Sequence, residues 1–231
     1  MPEVQLNLYL TRHGQSWGNV RADGDSAPRI APELLTDSPL TDLGGQQARL
    51  LGGRLAGLRF DAIYCSPLYR ALQTAHETAL RQPGGTAPIQ LIADLVETGT
   101  LPPPDGWDLE KLRTCHPATE WCAEAPAFGV QKNAEGEETE QARLLRAQRV
   151  IAFLRERHHE GENILLCAHG TFNTYLLRAA LGLPNENGFN FCQENSNLNK
   201  IKYYENGRVR LSYMNDTTHL APLMPEITFT L

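Results

Sequence analysis

At 231 residues, with 41% hydrophobic and 21% charged side chains, the chain can bury one substantial core and is expected to form a single domain over residues 1–231. A net charge of -6, with lysines and arginines scattered rather than clustered, argues against a surface built for nucleic acid or anionic lipid, so an anionic ligand must meet a local group of cations. No apolar run approaches the roughly 18 residues needed to span a bilayer, and the expected location is cytoplasmic with no membrane partner.

Residues 5–11 alternate and end at a polar Arg-His-Gly, which predicts a strand delivering Arg12 and His13 to a loop. Thr41 is the predicted N-cap of a helix with Leu43, Leu50, Leu51 and Leu55 on its apolar stripe, weakened by Gly44, Gly45, Gly52 and Gly53. A short strand over 61–65 precedes a helix that begins after Ser66 and Pro67 and carries Leu68, Leu72, Ala75 and Ala79. Residues 89–95 read as a third strand. Residues 98–137 then turn rich in proline, glycine and acidic side chains with little regular period, and read as an insertion or lid.

Thr139 caps a long amphipathic helix over 140–159, and 163–168 make a wholly apolar strand ending at His169 and Gly170. A further helix over 171–183 is closed by Gly182 and Pro184. Two alternating runs around Asn206-Gly207 predict a hairpin, whose exposed edge at 200–213 is compatible with a monomer or a homodimer. Strands alternating with helices imply a three-layer α/β/α sandwich with a mostly parallel central sheet. The five cysteines contain no CxxC pair and are expected to be buried free thiols.

Two histidines, His13 and His169, each precede a glycine and follow an apolar strand, and in such sheets ligands gather beyond the carboxyl ends of the strands. A neutral imidazole is a nucleophile near pH 7, and attack on phosphorus divides hydrolysis into transfer to the enzyme and transfer to water; His13 is the expected nucleophile. A phosphoryl group spreads its charge over three oxygens, which guanidinium forks match; Arg12 and Arg70 are the expected cations, and a charged His169 would add a donor. The leaving alkoxide needs a proton, and Glu97, just after the third strand, is positioned to supply it. The remaining histidines show no metal-ligand spacing, so neither a catalytic metal nor a cofactor is expected. Trp107, Lys111, Arg113, Trp121 and Phe128 either line a substrate pocket or pack the 98–137 segment onto the core, the second being commoner.

The segments LYLTRHGQSWGN, CSPLYRALQTA, DLVE and LLCAHG stand in the order and approximate spacing of the histidine phosphatase superfamily, and the chain resembles its phosphoglycerate mutase-like branch. The resemblance implies a phosphorylated nucleophile at His13, a phosphate pocket of Arg12, Arg70 and His169, a proton donor at Glu97, and phosphate contacts from Asn19 and Ser16. Gly170, beside His169, is placed in the same phosphate-binding set. Gln15 stands where many relatives have glutamate. The text DSPLTDLGGQQA resembles the phosphatase members rather than the cofactor-dependent mutases, as does NDTTHL near the end. The expected partner is therefore a small phosphomonoester. Two other readings stay open: a mutase, which would need a bisphosphorylated primer, and an idle module that binds a phospholigand without turnover.

Overall fold

The computed structural model describes residues 2–22, 37–103, 106–185 and 190–223. Strand β1 (Val4–Arg12) sets the layering. Leu6, Leu8 and Leu10 point to one face and Tyr9 to the other, each no more than 1% exposed, because successive strand side chains alternate. Its parallel neighbour β5 (Glu162–Ala168) does the same: Ile164, Leu166 and Ala168 join the first layer, Leu165 and Cys167 the second. A strand buried on both faces reads as continuously apolar, which is what residues 164–168 show.

These two strands lie inside a seven-stranded sheet of order β4-β3-β2-β5-β1-β6-β7. Strands β2 (Ala62–Cys65), β3 (Ile89–Leu91) and β4 (Thr119–Trp121) continue the parallel part, while β6 (Leu198–Tyr204) and β7 (Val209–Asp216) form an antiparallel hairpin against β1. Gly207, at φ +78°, turns that hairpin where Asn-Gly predicts it. On one face pack α5 (Glu140–Arg157) and α6 (Gly170–Leu181); on the other pack α2 (Asp42–Leu55), α3 (Tyr69–Ala79) and α4 (Leu109–Cys115). The expected three-layer arrangement around a mostly parallel sheet is the one observed. A short helix, α1 (Trp17–Ala22), follows the first motif without having been expected.

Caps fall where the sequence places them. Thr41 accepts a hydrogen bond from the Gly44 amide and Thr139 from the Ala142 amide, each satisfying an orphan donor of its helix. Gly182 closes α6 in the left-handed conformation at φ +68°. Two of the α2 glycines are required by close approach. A Cβ on Gly44 would stand 1.9 Å from the Gln15 carbonyl oxygen, and one on Gly52 would stand 2.4 Å from the Glu77 carbonyl oxygen of α3.

Three expectations need correction. The strand over 89–95 stops at Leu91, and Ala93–Leu95 forms a single 3-10 turn, because the buried Asp94 carboxylate turns to the Gly129 amide and the Arg149 guanidinium. The segment 98–137, of which 104–105 lie outside the described residues, is not without regular structure. It holds α4, N-capped by Asp108, and β4, which pairs in parallel with β3 as the sheet's edge. Of the cysteines, Cys65, Cys122 and Cys167 are buried, but Cys115 is half-buried and Cys192 is exposed on a loop beside the site described below.

Candidate active site

The sheet order reverses direction between β1 and β5. From β1 the chain proceeds to strands on the β2 side, and from β5 it proceeds to the β6 side. A crevice opens at such a switch point, outside the carboxyl ends of the two strands. Pairing brings Arg12 opposite Ala168, and the His13 amide donates to the Ala168 carbonyl at 3.0 Å. The two His-Gly motifs therefore leave the sheet at the same level, and the rings of His13 and His169 lie with centroids 5.1 Å apart.

His13 is 3% exposed, and its Nδ1 lies 2.7 Å from the Gly14 carbonyl oxygen. A carbonyl only accepts, so Nδ1 carries the ring proton and Nε2 keeps its lone pair. The Arg70 Nε, which can only donate, lies 3.2 Å from that Nε2. Burial first, then the Arg70 and Arg12 guanidiniums, hold His13 well below the ordinary imidazole value of 6.5. His169 is wholly buried and is likewise held well below 6.5, chiefly by burial and then by Arg70.

Ser66 orients His169. Its Oγ accepts from the Leu68 amide at 3.3 Å and lies 2.8 Å from His169 Nε2. With the serine hydroxyl donating, the ring proton sits on His169 Nδ1, a buried atom with no hydrogen-bond partner among the described residues.

Arg12 Nη1 donates to the Gln193 carbonyl at 2.7 Å and lies along the start of α6, where a Cβ on Gly170 would stand 3.1 Å from Arg12 Nε. Arg70 is held from the opposite side: Asp37 accepts from the Tyr69 amide at 2.9 Å, with its Oδ1 3.8 Å from Arg70 Nη1. Glu97 accepts from three backbone amides, Thr98 at 2.8 Å, Phe172 at 3.0 Å and Thr171 at 3.2 Å, so its carboxylate lies across the N-terminus of α6. Asn19 Oδ1 accepts from the Ser16 amide at 2.9 Å.

These side chains bound a cleft of about 280 Å³ lined by Arg12, His13, Ser16, Asn19, Arg70 and Glu97 among others. Gly170 faces an adjoining cleft of about 470 Å³ that shares Arg12 and Glu97 with the first. Of the expected phosphate-site residues, His169 alone lines neither cleft, though its ring centroid lies 5.1 Å from that of His13. Trp107 packs on Trp121 and Phe128, with ring centroids 6.0 and 5.8 Å apart, and none of the three lines either cleft. Gln15 turns away from the cleft, its Oε1 accepting from Thr41 Oγ1 at 2.7 Å.

Sequence reasoning missed an amide-rich loop before β6. Asn195 Nδ2 donates to the His13 carbonyl at 2.9 Å, Asn197 Oδ1 accepts from the Arg12 amide at 3.1 Å, and the Ser196 amide reaches the Arg12 carbonyl at 3.1 Å. The loop clamps the backbone of Arg12 and His13 from behind. Its signal in the sequence is the run Asn195-Ser196-Asn197, whose side chains bond readily to nearby backbone.

A model of the histidine phosphatase superfamily (branch 1) matches residues 8–217. Over 191 residues the chain is 31% identical to the adenosylcobalamin/alpha-ribazole phosphatase of Escherichia coli, covering 80% of this chain and 84% of that protein. The mitochondrial serine/threonine-protein phosphatase PGAM5 of Mus musculus is 29% identical over 218 residues, 94% of this chain, and the chain spans 64% of that protein's length. Among solved structures, YhfR of Bacillus stearothermophilus superposes with a TM-score of 0.63 at 26% identity, over 93% of this chain and 99% of that one. The chain belongs to the histidine phosphatase superfamily.

Proposed function

We propose that the chain is a metal-independent phosphomonoesterase of the cytoplasm that hydrolyses a small phosphorylated metabolite through a phosphohistidine on His13. The observation that carries this reading is the orientation of one ring. His13 donates a hydrogen bond from Nδ1 to the Gly14 carbonyl and turns its Nε2 lone pair, which accepts from Arg70 Nε, toward a cleft bounded by Arg12 and Arg70. Phosphatase relatives, including one named for alpha-ribazole and one named as a putative phosphoserine phosphatase, support the same class.

A bound phosphate takes Arg70 away from Nε2 and onto its own oxygens, with Arg12 on the other side. The Nε2 lone pair then attacks phosphorus. As the P–O bond to the leaving group breaks, Glu97, protonated in this half of the cycle, gives its proton to the departing oxygen and is left as a carboxylate. In the second half, water attacks phosphorus, Glu97 takes the proton, and the N–P bond breaks, returning the lone pair to Nε2. His169 donates from Nδ1 to a phosphoryl oxygen, with Asn19, Ser16 and Gly170 at the rim. The positive charge comes from guanidiniums already in place once the phosphate is bound, so little reorganisation accompanies the chemical steps.

The test is phosphate release in EDTA from p-nitrophenyl phosphate and a panel of sugar, glycerate, amino-acid and nucleotide phosphates. Wild-type turnover that survives the chelator and is lost in His13→Ala is expected. Retention of turnover in His13→Ala would overturn the reading, and turnover that needs a bisphosphorylated primer would replace it with a mutase.

A further inference from the structure

The largest fully buried side chain in the described structure is an arginine outside the cleft, Arg146 of α5. It forms a two-pronged pair with Glu138, Nε to Oε1 at 2.7 Å and Nη2 to Oε2 at 2.9 Å, and both side chains are 0% exposed. Its Nη1 donates to the carbonyl oxygens of Asp94 at 2.6 Å and Val96 at 3.0 Å. Glu138 Oε2 also accepts from the Gly99 amide at 2.9 Å. A buried ion pair often contributes little net stability over apolar side chains of the same volume, so stability is a poor account of this one.

The bonds have a common destination. Asp94 and Val96 precede Glu97, and Gly99 follows it, in a turn closed by the Thr100 amide on the Glu97 carbonyl with Gly99 at φ +74°. The Arg146–Glu138 pair therefore grips the loop on both sides of Glu97. The guanidinium also stacks at 3.8 Å over the ring of Phe172, whose own amide donates to Glu97 Oε1. One side chain thus spans the loop that carries the carboxylate and the helix end that receives it. We infer that Arg146, with Glu138, is a positioning residue that fixes Glu97 against the N-terminus of α6 for proton transfer to the leaving group.

The inference rests on the assignment of Glu97 as proton donor. A misplaced acid matters only when the leaving group needs a proton. Alkyl phosphates, which leave as strongly basic alkoxides, should suffer, while p-nitrophenyl phosphate, whose phenolate is stabilised, should suffer little. The measure is kcat/KM, which reports only steps up to release of the leaving group.

For Glu97→Gln, Arg146→Met and Glu138→Gln, kcat/KM on the best alkyl substrate is expected to fall at least tenfold further than on p-nitrophenyl phosphate. Adding Arg146→Met to Glu97→Gln should leave that discrimination unchanged. A merely structural role would lower both substrates together. If Glu97→Gln discriminates and the other two do not, the positioning role is overturned and the acid assignment stands. If Glu97→Gln does not discriminate, both are overturned. Should Arg146→Met fail to fold, Glu138→Gln, which keeps the shape of the pair and one carbonyl acceptor, decides alone.

Discussion

His13 shows how much of a side chain's chemistry is decided by one hydrogen bond. With Gly14 accepting from Nδ1, the nitrogen proposed as nucleophile is chosen before any substrate binds, and burial, then the Arg70 and Arg12 guanidiniums, disfavour its protonation. The imidazole resonances of His13 and His169, followed by NMR in the free protein, are expected to stay at their neutral positions through the range around 6.5 where an ordinary imidazole titrates. Both groups have folded values below their unfolded ones, so in that range the unfolded chain binds more protons. Stability should therefore decline as the pH falls below about 6.5, and keep declining until the depressed folded values are reached. Urea midpoints at a series of pH values check the sign. Replacing Arg70 by methionine keeps the stem and removes the fork, and turnover should fall by about 10²–10³.

At this scale the motif residues were legible because strand, histidine and glycine are contiguous in sequence. Ser66 and Asn195 were not singled out, because their partners, His169 and the His13 backbone, are distant in the chain and meet them only through the fold.

Among the elements, α2 shows best why local propensity and tertiary need diverge. Its glycines lower helix propensity, yet Gly44 and Gly52 sit where a backbone passes too close for a side chain, while Gly53 is exposed, with nothing within 4 Å of the point a methyl would occupy. Gly53→Ala should therefore raise stability by about 0.5–1 kcal/mol, and Gly52→Ala should lower it by about 1–3 kcal/mol as α3 is pushed away. Chemical denaturation of the two variants beside wild type measures both. The caps at Thr41 and Thr139, the stop at Gly182 and the Asn206-Gly207 turn are legible because each is specified within four residues. The helix α4 and strand β4 are not, since seven- and three-residue elements carry too little periodicity and β4 exists only by pairing with β3.

For the whole molecule, the stable centre and the reactive centre share strands. β1 and β5 are flanked on both edges by other strands and covered on both faces, whereas β7 is an edge with alternating exposure. Amides of residues 8–10 and 164–166 should exchange with solvent only on global unfolding, and those of β7 much sooner, as hydrogen exchange followed by mass spectrometry would show. The sandwich itself was legible from alternating strands and helices; the strand order was not, because it depends on pairings between remote segments.

The β1–β5 pairing also orders events in time. Arg12 and His13 are synthesised before the strand that sets their level, the helix end that holds Glu97 and the asparagines that clamp their backbone, all of which follow β4 in the chain. A nascent chain halted before β5 holds the first motif complete but lacks the strand, the helix end and the loop that surround it in the fold. Closing so long a loop is slow. The proposed activity should therefore appear, during synthesis or refolding, with completion of the central sheet rather than with any earlier collapse.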